Sequence, residues 1–177
     1  MPIIQTITPQ QATGVLAEYY TTIKAMRGAV RNNAMLFSAS PELLRQQMDF
    51  ILHYAKHPTL SLPLLAAVRV MVSSDESCDY CTDYNTAMLI NMAGWTPEQA
   101  AALRGNLDAT PLDAGETAML KLVVKAVRNA HGVTANDLDE LRELGWTDAD
   151  ILDAVNHGAR MLATDILFNT FKIDKDE

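Results

Sequence analysis

The segment Cys78-Asp79-Tyr80-Cys81 holds both cysteines of the chain. At i, i+3 the two thiols share a helix face, and at a helix start they can close into a disulfide and reopen. A helix N-terminus also favours the thiolate, which is the nucleophilic form. Asp75, Glu76, Asp79 and Asp83 oppose this, because like charge disfavours a thiolate. The balance predicts a thiol of moderate acidity. Arg69 is the nearest cation in sequence. Four positions after Cys81, on the same face, stands Asn85, whose amide takes no proton at neutral pH. The chemistry this pair could do is two-electron redox. One cysteine attacks a disulfide or peroxide, the other resolves the intermediate, and an external dithiol restores the pair. None of these steps needs an organic cofactor.

Two other readings stay open. His53 and His57 stand at i, i+4 and would complete a Cys₂His₂ zinc set with Cys78 and Cys81. His57, just before Pro58, also reads as an ordinary helix-end residue favoured by the dipole. Alternatively, the cysteines are two small apolar side chains of the core. Around the pair, Glu76 offers a carboxylate and Tyr80 a phenol, although Tyr80 and Tyr84 also suit aromatic packing. His157, in a later helical segment, is a candidate proton carrier.

The elements that must position these residues all read as helix. Thr8-Pro9 with Gln11 predicts a helix start, running to about Arg27 before Gly28. Ser40-Pro41-Glu42 opens a second helix to about Lys56. Ser61-Leu62-Pro63 opens an apolar helix through about Val72. A polar break over 73–77 precedes the cysteine helix, which reaches about Met92. Gly94-Trp95-Thr96 and Gly145-Trp146-Thr147 share one grammar: a left-handed glycine ends a helix, threonine caps the next, and tryptophan packs back. Between them the apolar spacing predicts helices over about 112–130 and 135–144, and a final helix spans about 148–171. No segment alternates with strand period. The expectation is an all-α fold with one domain over residues 1–177.

Composition bounds the partners. Acids outnumber bases 22 to 14, giving a net charge of −8. That balance argues against nucleic acid or an anionic membrane as a partner. No apolar run has transmembrane length, and residues 1–6 lack the pattern of a signal peptide. A cytoplasmic location is expected, where a lone cysteine pair is more often catalytic or metal-bound than structural.

The stretch from Thr59 to Cys81, with its Leu60-Ser61 start, Val72-Ser73 and Cys78-Asp79-Tyr80-Cys81, resembles the core of AhpD-like proteins. These belong to the carboxymuconolactone decarboxylase superfamily, which includes alkylhydroperoxidases. Leu138 to Ile151 is similar to a later helix corner of that family, and Ser40-Pro41-Glu42-Leu43-Leu44 to the N-terminal extension of its peroxidase-related branch. The resemblance implies an AhpD-like helical bundle and a homo-oligomer, trimeric or a dimer of trimers. It also implies Cys78 and Cys81 as the redox pair. Peroxidase-type members carry a glutamate twelve residues before the first cysteine and a histidine four after the second, forming a proton relay. Those positions are Ala66 and Asn85 here. Two functions follow as alternatives: a thiol–disulfide oxidoreductase with weak peroxidase activity, or a binding or assembly protein that kept the fold and lost the relay.

Overall fold

The computed structural model describes residues 2–176; Met1 and Glu177 lie outside them. Among the described residues there are nine α-helices and no strand. The helices are α1 Gly14–Arg27, α2 Asn32–Leu36, α3 Pro41–Ala55, α4 Leu62–Asp75, α5 Asp79–Asn91, α6 Pro97–Ala102, α7 Ala114–Arg128, α8 Ala135–Glu143 and α9 Asp148–Phe171. None is long and apolar enough to cross a membrane.

The chain resolves into two compact units, one of residues 1–56 with 167–177 and one of residues 57–166. In the first, Leu16 and Tyr20 of α1 meet Leu44 of α3, with Ile23, Phe37 and Met48 packed around them. The Tyr20 hydroxyl donates to the Ile7 carbonyl at 2.7 Å, so burying the ring leaves its polar tip satisfied. The predicted start of α1 at Thr8 is corrected. Thr8 and Gln11 bond to each other as an isolated turn, and extended Thr13 (φ −133°, ψ 163°) delays the helix to Gly14. The stop is as expected: Gly28 takes φ 78° and donates to the Lys24 carbonyl.

The second unit is built around α4. Its sequence is apolar on nearly every face, and Leu64, Leu65, Ala66, Ala67, Val68, Val70, Met71, Val72 and Ser73 are all buried. A helix apolar all round belongs inside a layer of others. It packs on α5 and α7, and residues 148–166 of α9 lie against it. Gly158 makes that approach possible: a Cβ there would lie 2.5 Å from Val123 Cγ1 of α7 and 3.6 Å from Val68 Cγ1 of α4.

The expected break after Val72 is absent, and α4 continues to Asp75. Two tertiary contacts, three bonds in all, account for the extra turn. Ser73 is buried and donates to Asp165 at 3.1 Å, and Asp75 holds Arg128 of α7 through two bonds of 2.6 and 2.8 Å. Just past the helix end, Ser77 takes a left-handed φ of 54° without being glycine. The Ser77 and Cys78 amides donate back to the Ser74 and Ser73 carbonyls, at 3.3 and 2.9 Å, closing the last turn.

Both glycine–tryptophan corners form as their sequences predict. Gly94 and Gly145 have φ of 74° and 92°. Thr96 and Gln99 make a reciprocal capping box on α6, and Thr147 and Asp150 do the same on α9. Trp95 is buried, and Trp146 Nε1 donates to the Gly115 carbonyl at 3.0 Å.

Candidate redox site on helix α5

The site is assembled where α4 turns into α5, beneath α9. Cys78 is the N-cap of α5 and Cys81 lies in its first turn. Both are free thiols, and they are 1% and 3% exposed. Their sulfurs and a carboxylate oxygen of Asp165 all lie within 4.8 Å of one another.

Asp165 is the residue that the sequence reading missed. It is 0% exposed and comes from α9, far along the chain from the cysteines. Its Oδ1 accepts from Ser73, whereas buried Oδ2 receives no N–H or O–H donor. Burial pushes its carboxyl up to about 6, against hydrogen bonds from the Cys81 and Cys78 thiols and Ser73, while the Glu76 charge pushes it further up. The Cys81 thiol is pushed far above the ordinary thiol range. Its hydrogen bond to Cys78 is the main cause, followed by burial and the charge of Asp165. All three effects favour the protonated form of Cys81. Only period counting along α9 could have flagged Asp165: it stands on the same face as buried Ala154, His157, Gly158 and Met161.

The two relay positions have another use here. Ala66 is fully buried in α4. Asn85 is 3% exposed, and its Oδ1 accepts from Arg69 Nε at 2.6 Å while its Nδ2 donates to the Cys81 carbonyl at 2.8 Å. Arg69 also bonds His157 Nε2 through its Nη1 at 2.9 Å, and reaches Met88 Sδ at 3.7 Å. Arginine can only donate, so His157 Nε2 is the acceptor and the ring is neutral. Burial, then the adjacent Arg69 charge, hold His157 well below its ordinary value. Arg69, Asn85 and His157 thus form a polar layer that ties α4, α5 and α9 together.

The remaining candidates separate. Glu76 is exposed at the end of α4, where it acts on Asp165 through its charge. Tyr80 is buried and stacks on Tyr84, with centroids 6.3 Å apart and planes at 5°. His57 pairs with Asp153, 3.1 Å from Nε2, and its Nδ1 accepts from the Leu60 amide at 3.1 Å. The third donor beside the cysteines is Asp165 rather than a histidine, so the alternative Cys₂His₂ set is not assembled among the described residues. His57 stands instead beside Asp153 of α9. A cavity of about 570 Å³ lies along α7 and α8 between Asp108 and Leu141, and its lining includes neither cysteine.

No family model and no curated protein matches the chain. Solved structures do match it. One is an AhpD-core, uncharacterized peroxidase-related protein from Ralstonia eutropha JMP134. It has a TM-score of 0.87 and 20% identity, over 99% of this chain and 93% of that one. Another is an uncharacterized peroxidase-related protein from Silicibacter sp. TM1040. It has a TM-score of 0.81 and 22% identity, over 98% of this chain and 88% of that one. The fold is therefore all-α and AhpD-like, as the sequence resemblance implied.

Proposed function

We propose that this protein is a thiol–disulfide oxidoreductase that cycles Cys78 and Cys81 between dithiol and disulfide, with slow peroxide reduction as a secondary activity. The observation that carries this reading is the approach of two free thiols within 4.8 Å at the start of α5. Cys78 is the attacking residue, because it caps the helix while Cys81 holds its proton. Attack on a substrate disulfide forms a mixed disulfide at Cys78 and expels one thiolate. Cys81 then attacks the Cys78 sulfur, closes the internal disulfide and expels the second thiolate. Two electrons pass from the pair to the substrate, and an external dithiol returns them. With a peroxide, Cys78 takes one oxygen as a sulfenic acid and Cys81 closes with loss of water.

Peroxide turnover should be slow. Asn85 is held between Arg69 and the Cys81 carbonyl and offers no base. The supporting roles are then positional. Tyr80 stacks on Tyr84 along α5, Glu76 acts on Asp165 through its charge, and His157 with Asn85 holds Arg69. A homo-oligomer accompanies this reading. In the 57–166 unit it has apolar surface to use, since Met92, Leu144, Leu152 and Ile166 are 50–70% exposed. Light scattering that returned a stable 19.5 kDa particle at micromolar concentration would contradict it.

A second reading has its own observation. Both sulfurs are buried, as in a core that merely uses cysteine as a small apolar side chain and serves binding or assembly. Thiol counting on the folded protein, before and after mild oxidant and then dithiothreitol, decides between them. The redox reading expects two thiols, then none, then two, with a loss of two hydrogens across one peptide in the mass spectrum. Two thiols that persist through oxidant defeat it.

A further inference from the structure

The geometry points to Asp165 as the acid–base group of the cysteine pair, accepting the Cys81 proton as the disulfide closes and returning it when the pair is reduced. This rests on the reading of Cys78 and Cys81 as a cycling pair. It supplies the group that Ala66 and Asn85 do not. Closing the disulfide breaks the Cys81 S–H bond, and the proton must go somewhere in a site where both sulfurs are under 5% exposed. Asp165 lies within 4.8 Å of both sulfurs, and the Cys81 thiol donates toward it. Its Oδ2 is buried without an N–H or O–H donor, so a lone pair is open to receive a proton.

The other candidates are committed elsewhere. His157 Nε2 already accepts from Arg69, and Glu76 is exposed. The groups that act on Asp165 are Cys78 and Cys81 from α5, Ser73 from α4 and Glu76 from the turn between them. Arg69, one helical turn before Ser73, bonds Asn85 and His157.

The step balances as follows. Cys81 S–H gives its proton to Asp165 Oδ2, and the sulfur electron pair forms the bond to Cys78. For a mixed disulfide, the substrate thiolate leaves with the pair of the broken S–S bond. For a sulfenic acid, hydroxide leaves and takes the proton back from Asp165 as water. An external dithiol reverses the sequence: Cys81 leaves as a thiolate and is reprotonated by Asp165.

Rapid mixing of the reduced protein with 5,5′-dithiobis(2-nitrobenzoate) separates the two sulfur steps. The first coloured thiolate reports attack by Cys78 and the second reports closure by Cys81. In the native protein the second phase should rise with pH through about 6, where Asp165 ionises. In Asp165→Asn that inflection should vanish, and the second phase at pH 7 should slow about 100-fold or more, the scale of lost general-base assistance. The first phase should hold or quicken, since a negative charge near the thiols is gone.

The sign discriminates. A purely electrostatic Asp165 holds Cys81 protonated, so its removal would speed both phases. That result overturns the proposal, as does equal slowing of both phases with the inflection kept. Ser73→Ala gives a second handle if Asp165→Asn loses its helical circular dichroism. The lost donor should move the inflection to higher pH, and an unmoved inflection overturns the proposal. Release of no second thiolate by the native protein would instead remove the cycling pair itself.

Discussion

Asp150 and Asp165 are both buried on α9, yet only Asp150 is held by an amide and hydroxyls alone. Asp150 sits in the first turn of the helix. It accepts from the Thr147 amide at 3.0 Å, from the Thr147 hydroxyl at 2.5 Å and from the Thr59 hydroxyl. Burial pushes its carboxyl up, but the bonds from Thr147 and Thr59 outweigh it, and the group sits below its ordinary value. Asp165 lies near the far end, where the helix dipole offers an anion nothing. It has one hydroxyl donor and two thiols, and its carboxyl sits at about 6. The same side chain is a structural clamp in one place and a poised proton acceptor in the other. Donor strength and position along the dipole make the difference, since both are out of water and two of the three Asp165 donors are weak thiols.

Substituting each aspartate gives the largest expected effects, and they have opposite signs. Asp150→Ala should destabilise the protein by about 2–3 kcal/mol at pH 7, because it removes a cap and strands the Thr59 and Thr147 donors. Asp165→Asn should stabilise it. An acid near 6 when folded and near 4 when unfolded binds more protons in the folded state between those values. Stability therefore falls as pH rises from 4 to 6, by about 3 kcal/mol for a fully shifted group. The gain in Asp165→Asn should appear at pH 7 and fade by pH 4. Urea midpoints at both pH values check this, and a destabilised Asp165→Asn at pH 7 would break the contrast.

Gly158→Ala should come next. The 2.5 Å approach to Val123 Cγ1 cannot be relieved by a flexible chain end, because valine is branched at Cβ. Overpacking should cost about 1–3 kcal/mol, more than the modest gain of alanine over glycine in a helix. The shift of α9 should also slow disulfide closure by moving Asp165. Unchanged closure in a destabilised variant would show that Asp165 is held by α4 alone.

Asn85→Ala tests the neighbouring polar layer. It removes the acceptor of Arg69 Nε and the side-chain bond to the Cys81 carbonyl, at a cost of about 1–2 kcal/mol in thermal or urea unfolding. The pH at which closure inflects should not move, because Asn85 does not act on Asp165. Movement of that inflection would merge the two polar layers into one network.

The smallest effect is expected at Ser77. Its left-handed φ of 54° costs a non-glycine residue about 1–2 kcal/mol, so Ser77→Gly should gain about 0.5–1 kcal/mol after the extra chain entropy of glycine. A loss of stability would mean that the Ser77 side chain supports the turn before Cys78.

The sequence by itself determined the helices whose ends carry local chemistry. Ser61 caps α4 by accepting from the Leu64 amide, Gly94 and Gly145 take the left-handed conformation, and α9 runs over the span its periodicity predicts. It also placed Cys78 and Cys81 at a helix start, because that feature is written in adjacent residues. It could not place the Thr8 turn or the end of α4. The first is stopped by one extended residue, and the second is prolonged by partners from α7 and α9. Nor could it pair a cysteine helix with an aspartate from α9, or send Arg69 to Asn85 and His157 rather than to the thiols. Buried polar groups choose partners by which helices meet. That meeting is set by the packing of α9 against α4 and α7 at Gly158, so tertiary structure alone decided which carboxylate stands beside the pair.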